Sequence, residues 1–312
     1  MLTDLSIAYL FLGGTGGGAL VACSLLSLLT PRSAVSARRL APNGRTVTLV
    51  MLVPQSYRLL LGGGFGIALA CLFIGSLALL TDLGRPVLAT MLFVSHRLTL
   101  LNFGTYALAA GTLMALLLAC AWGVSSALWR FRFVRALGVV GIVCGLSIAL
   151  YTGLLLGSLA AVPLWSSIWL PVLFVLSSLS CGLALLVIYA CMTEVFDVFA
   201  TTLHRLLVSD AVVIMFEALA AAALLACAFL SEYDVARQGA KSLVGGPDAA
   251  VFIGGFVLCG VVVPLVLDAG SMLVQGNRQA RIIVTGAFVL VGGFALRYSL
   301  VMAGAHPFLG AL

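Results

Sequence analysis

Residues 168–192 read IWLPVLFVLSSLSCGLALLVIYACM, a run of 25 residues without one charged side chain. A helix crosses the hydrocarbon core of a bilayer in about 20 apolar residues, and it satisfies every backbone N–H and C=O within the segment. This stretch therefore reads as a transmembrane helix, and the chain repeats the pattern on both sides of it. Apolar runs bounded by charged or Pro/Gly-rich breaks predict eight spans, at about 7–29, 58–80, 98–121, 136–160, 168–192, 208–230, 249–275 and 281–304. Strands of a membrane barrel would alternate apolar and polar residues, and these segments do not. The expected fold is all-α, a polytopic membrane protein. Composition agrees: of 312 residues, 63% are hydrophobic and 8% charged, with a mean hydropathy of +1.24. An average soluble domain carries roughly 25% charged residues, so a water-soluble globule is excluded. Residues 46–57, TVTLVMLVPQSY, are too few to cross alone. They are expected to form an interfacial helix in preference to a Pro54-kinked extension of span two.

The bases sort by membrane side. Arg32, Arg38, Arg39, Arg45, Arg58, Arg130, Arg132, Arg135, Arg205, Arg278 and Arg281 fall in one set of alternate loops, and Arg85, Arg97, Arg237 and Lys241 in the other. Eleven against four makes the first side cytoplasmic by the positive-inside rule, so both termini are expected outside. The opening MLTDLS, with Asp4 and no base, fits an outward start and lacks the basic opening of a cleaved signal peptide. The net charge of +6 is thus a topological signal and not a nucleic-acid patch. The longest loop, 30–57, is too short for a catalytic domain, so any soluble machinery belongs to another chain.

The cofactor ligands are sparse. Eight cysteines, at 23, 71, 120, 144, 181, 191, 227 and 259, lie singly within spans with no C-x-x-C, and read as buried small hydrophobes. Neither an iron–sulfur cluster nor a structural zinc is expected in this chain. The three histidines, His96, His204 and His306, lie outside the spans, so a bis-histidine haem is not expected either. The run Gly13-Gly14-Thr15-Gly16-Gly17-Gly18-Ala19 contains the letters of a dinucleotide fingerprint, but its flanks are a membrane span and no acidic residue follows about 20 positions on. Small residues in such a span let a neighbouring helix, or a flat ligand, approach the backbone.

Taken in order, YLFLGGTGGGA in span one, TDLGRP after span two, ALYTGLLLGSL in span four, LPVLFVLSSLSCGLAL in span five, the pair Asp210 and Glu217 in span six, GVVVPLVLD in span seven and LRYSLVMAG in span eight resemble the NrfD/PsrC family over essentially the whole chain. These are membrane anchors of polysulfide, nitrite and related reductases. The family's last span often ends in AGQ, where this chain has Ala303-Gly304-Ala305-His306, so no role for a terminal glutamine carries over. The resemblance implies two four-helix bundles, here 1–160 and 161–312, and a haem-free anchor in a bacterial or archaeal cytoplasmic membrane. It also implies a quinone such as menaquinone bound toward the outer face, a four-cluster iron–sulfur partner and usually a molybdopterin catalytic subunit, as in anaerobic respiration.

The residues support a site of that kind. Tyr9, Asp82, Arg85, His96, Arg97, Asn102 and Tyr151 all fall at the outer half of the first four spans. A quinol site needs an apolar slot, hydrogen-bond partners for two ring oxygens and a proton acceptor. His96 suits neutral-pH titration, Asp82 can accept or orient, and Tyr9, Tyr151 or Asn102 can bind a carbonyl. The bland alternatives are a loop ion pair between Asp82 and Arg85, and interfacial anchoring for the tyrosines and for His96 and Arg97. In the second half, Asp210, Glu217, Asp268 and Arg297 are ionisable groups within or at the ends of spans, where each marks a functional candidate. Asp210 and Glu217, seven apart, share one helix face. Together these residues have the composition of a proton relay; the alternative is a structural bridge from Arg297 to Glu217. A proton-coupled transporter with a midplane site, and a purely structural anchor, are the rival functions.

Overall fold

The computed structural model describes residues 4–40, 47–51, 53–82, 99–124, 130–158, 162–193, 195–270 and 278–309. Eight helices among them are long and apolar enough to cross a membrane: Leu5–Leu29, Gln55–Asp82, Leu100–Gly123, Phe131–Gly157, Trp169–Met192, Ala200–Leu230, Ala250–Ala269 and Arg278–Gly304, hereafter spans one to eight. Span seven winds with wide i→i+5 turns over Ala250–Val262. The protein is an all-α, multi-pass membrane protein.

Span one is the hub. It packs chiefly against spans two, four and five, and further contacts run from span two to three, three to four, four to five, five to six, five to eight and seven to eight. Of its apolar window 78% is buried, against 28% for spans two and seven, whose outer faces carry large side chains such as Phe73, Ile74 and Leu258 toward lipid. The glycine run explains how one helix touches three neighbours. A Cβ on Gly16 would stand 2.9 Å from Leu72 Cγ, one on Gly17 2.9 Å from the Gly145 carbonyl, and Gly18 lies directly on the Ser178 carbonyl. Close helix packing is thus the role of the run, and no part of it opens onto a dinucleotide.

Indole and phenol groups tie span ends together. Trp122 Nε1 donates to Ser27 Oγ at 3.1 Å, Tyr189 Oη to the Leu59 carbonyl at 2.9 Å and Trp165 Nε1 to the Leu300 carbonyl at 3.0 Å. Arg135 donates to the Leu28 carbonyl at 3.0 Å, satisfying the C-terminal end of span one and complementing its dipole.

The described residues of 46–57 do not form the expected interfacial helix. Val47–Met51 is a strand (β2) paired antiparallel with Ser36–Leu40 (β1), Ser36 opposite Met51 and Leu40 opposite Val47. Val47, Thr48 and Val50 are β-branched, and pairing the two strands satisfies backbone groups in segments too brief to gain from helix cooperativity. Pro54 then stands at the N-cap position, and Gln55–Tyr57 runs on into span two. An unexpected helix, Asp234–Gly245, follows span six, burying Ala236, Gly239, Ala240 and Leu243 while Arg237 and Lys241 face out. Of the eight free cysteines, Cys120 and Cys227 face outward instead of inward, at little cost where the surroundings are hydrocarbon.

Candidate functional site

The first cluster lies where spans one and three begin and spans two and four end. Tyr9 is 1% exposed, and its hydroxyl has no hydrogen-bond partner among the described residues. Tyr151 is also buried and close enough to Tyr9 to interact electrostatically. The Tyr151 ring lies directly over Gly104 of span three, a place no larger residue leaves free, and meets Phe103 edge-on with centroids 6.5 Å apart. Asn102 is buried in the first turn of span three, its backbone N–H donating to Thr99 Oγ1 at 3.4 Å. Asp82, the last residue of span two, accepts from Ser6 Oγ at 2.5 Å, a tie that joins span two to span one. Thus Tyr9, Asp82, Asn102 and Tyr151 converge on one end of the first four spans. Arg85, His96 and Arg97 lie outside the described residues.

The second cluster is centred on Arg297, which is 0% exposed. Its Nε donates to the Leu10 carbonyl at 3.2 Å, Nη1 to Ser177 Oγ at 3.1 Å and the Gly293 carbonyl at 2.8 Å, and Nη2 to Ser178 Oγ at 2.9 Å. The rings of Phe11 and Phe174 lie 5.7 and 5.4 Å from Cζ. A Cβ on Gly14 would come within 2.7 Å of Nη2, so the glycine run also opens the path by which span eight reaches span one. No ion pair within 4.0 Å joins Arg297 to Glu217; the carboxylate bridge weighed from sequence is replaced by carbonyl and hydroxyl acceptors. Glu217 is buried and interacts with the Ser177 hydroxyl that the guanidinium also uses, so the two are linked through a serine.

Asp210, two turns away on the same buried face of span six, interacts with Ser180, Glu217 and Asp268. Its Oδ1 and the Ser180 Oγ fall short of hydrogen-bond geometry and have no other partner among the described residues. Asp268, in the last described turn of span seven, lines a half-open cavity of about 340 Å³ between spans six, seven and eight. Asp268, Asp210, Glu217 and Arg297 therefore form one polar strip from the base-rich ends of these spans to the carbonyl of Leu10 in span one, the residue next to Tyr9.

Sequence reading passed over Ser6, Gly104, Ser177, Ser178 and Ser180. A signal existed for three of them: three hydroxyls within four residues of an otherwise apolar span. None existed for the Leu10 carbonyl, since a backbone acceptor has no side-chain signature.

Eight apolar spans, with the polar groups gathered at one end and along one internal strip, define an integral membrane subunit. The chain belongs to the NrfD family: the family model described as "Polysulphide reductase, NrfD" matches residues 4–308. Its members are membrane subunits of quinol-linked oxidoreductases, partnered with other redox subunits and associated with quinone exchange. No curated protein matches the chain.

Proposed function

We propose that this chain is the quinol-binding anchor of a respiratory oxidoreductase, with Tyr9, Asp82, Arg85, His96, Arg97, Asn102 and Tyr151 forming the site and both termini on that outer side. The observation that carries the reading is the Tyr9 hydroxyl, buried beside Tyr151 with no partner of its own among the described residues. An orphaned buried hydroxyl costs about 1–3 kcal/mol unless a ligand takes it up, and a quinone oxygen fits that need. Bound quinol supplies two electrons and two protons. Tyr9 donates to one ring oxygen, Asn102 and Tyr151 orient the ring, and Asp82, held by Ser6, accepts a proton as electrons pass to the attached iron–sulfur subunit. Terminal chemistry belongs to a further, molybdopterin-bearing subunit.

The chain works as two four-helix units, 1–160 for quinol and 161–312 for protons. In the second, Asp268, Asp210 and Glu217 admit protons from the cytoplasmic side. The support is the unpartnered Asp210 oxygen and its neighbouring Ser180 hydroxyl. Arg297, with four of its five N–H donors taken by protein acceptors, offers little to a midplane substrate, which weighs against the transporter.

The test is quinol oxidation by the purified complex carrying Tyr9→Phe or Asp82→Asn. Losing one hydrogen bond in Tyr9→Phe lowers the rate by about 5- to 10-fold. Losing the proton acceptor in Asp82→Asn lowers it by about 100-fold or more. Dye-coupled activity of the partner subunits stays unchanged in both. Unchanged quinol turnover in both variants, or a Soret band assignable to this chain, rejects the reading.

A further inference from the structure

The cavity of about 340 Å³ lies between the base-rich ends of spans six, seven and eight. Among the described lining residues its polar end carries Arg278 and Arg281, with His204 beside them, against one acid, Asp268, so these walls hold an excess of positive charge. Elsewhere the walls are apolar, and Val208, Val212 and Met215 form one stripe along span six at helical spacing. Those three side chains are 49%, 43% and 53% exposed, so the stripe continues from inside the cavity onto the outer surface of the span, where acyl chains lie. The charged end sits where span six begins, span seven ends and span eight begins, which is headgroup level. The volume, about 340 Å³, is at the small end of ligand pockets, enough for a headgroup and the first methylenes with the rest of the chain outside.

We infer that this cavity binds an anionic membrane phospholipid, its phosphate held by Arg278 and Arg281 with His204 beside them and one acyl chain along Val208, Val212 and Met215. Basic pockets between transmembrane helices recognise headgroups in this way, by charge at the rim and hydrocarbon on the wall. A free anion uses only the charged end and makes no use of the apolar stripe, whereas a neutral lipid makes no use of the excess positive charge at the rim. The inference is independent of the quinol site.

The experiment is native mass spectrometry of the intact complex released from nanodiscs of equal phosphatidylglycerol and phosphatidylcholine, beside a detergent sample given inorganic phosphate alone. Wild type retains phosphatidylglycerol and neither phosphatidylcholine nor phosphate. The double variant Arg278→Gln, Arg281→Gln retains about 30-fold less, two basic residues each contributing the usual interaction with an anionic headgroup. Val212→Trp, which blocks the acyl lane on a lipid-facing surface without touching a charge, also lowers retention, and it decides the matter by itself if the double variant does not assemble. Equal retention of both lipids, phosphate bound as well as the lipid, or unchanged phosphatidylglycerol retention in Val212→Trp overturns the inference.

Discussion

A guanidinium with no exposed surface must find in the protein what water would have given it, and Arg297 does so with two carbonyls, two serine hydroxyls and two ring faces. The planar fork is what allows four acceptors to be met at once. Arg297→Lys keeps the charge but presents a point donor that reaches fewer of them, so it costs roughly 3–5 kcal/mol, the scale of a buried charge left uncompensated. Arg297→Met removes the charge, and the serines can turn back to their own helix carbonyls, so it costs less. Thermal melting of the two purified variants checks the order, and methionine proving worse than lysine would refute it. Because Glu217 makes no direct ion pair with Arg297, Glu217→Gln leaves no bare cation. It assembles normally, with stability changed by about 1 kcal/mol or less. Reconstituted in vesicles with a pH-sensitive dye, the same variant shows reduced proton movement per quinol oxidised. Unchanged proton movement removes Glu217 from the path, and failure to assemble restores it as a structural partner.

Among elements, span one is constrained by backbone contact with span five. A Cβ on Gly18 would overlap the Ser178 carbonyl, and one on Gly182 would overlap the Gly18 backbone. No rotamer change relieves a clash with main chain, so Gly18→Ala or Gly182→Ala destabilises by at least the roughly 1–3 kcal/mol of an overpacked core. Gly66, on span two, has nothing within 4 Å of the same construction. Gly66→Ala is therefore silent in expression and melting, and equal effects of Gly66→Ala and Gly18→Ala would show that helix propensity, not contact, decides. Gly104→Ala is the functional counterpart. It pushes the Tyr151 ring from its seat, so quinol oxidation falls while the protein still folds; a wild-type rate in a folded variant would detach Tyr151 from the site.

For the whole molecule, the asymmetry of bases sets which side faces the cytoplasm. With the native cysteines replaced, Lys241→Cys on the outward-predicted helix Asp234–Gly245 reacts with an impermeant thiol reagent on intact cells, and Arg132→Cys does so only after the membrane is opened. The reverse pattern inverts the topology, and with it the side proposed for the quinol site.

The sequence alone determined the eight spans and the family, because crossing hydrocarbon requires about 20 apolar residues per helix and leaves a signal no folding context can mask. It also nominated Tyr9, Asp82, Asn102 and Tyr151, polar residues that recur at one end of four consecutive spans, and the buried acids of span six. It could not find the paired strands Ser36–Leu40 and Val47–Met51, since each gains its partner from the other and not from its own pattern, nor the helix at 234–245, whose small buried residues resemble any polar loop. The tertiary structure alone decided what Arg297 binds. Its partners come from spans one, five and eight, brought within reach by Gly14 and Gly18, and three-dimensional approach selects among carbonyls that are chemically identical in every span.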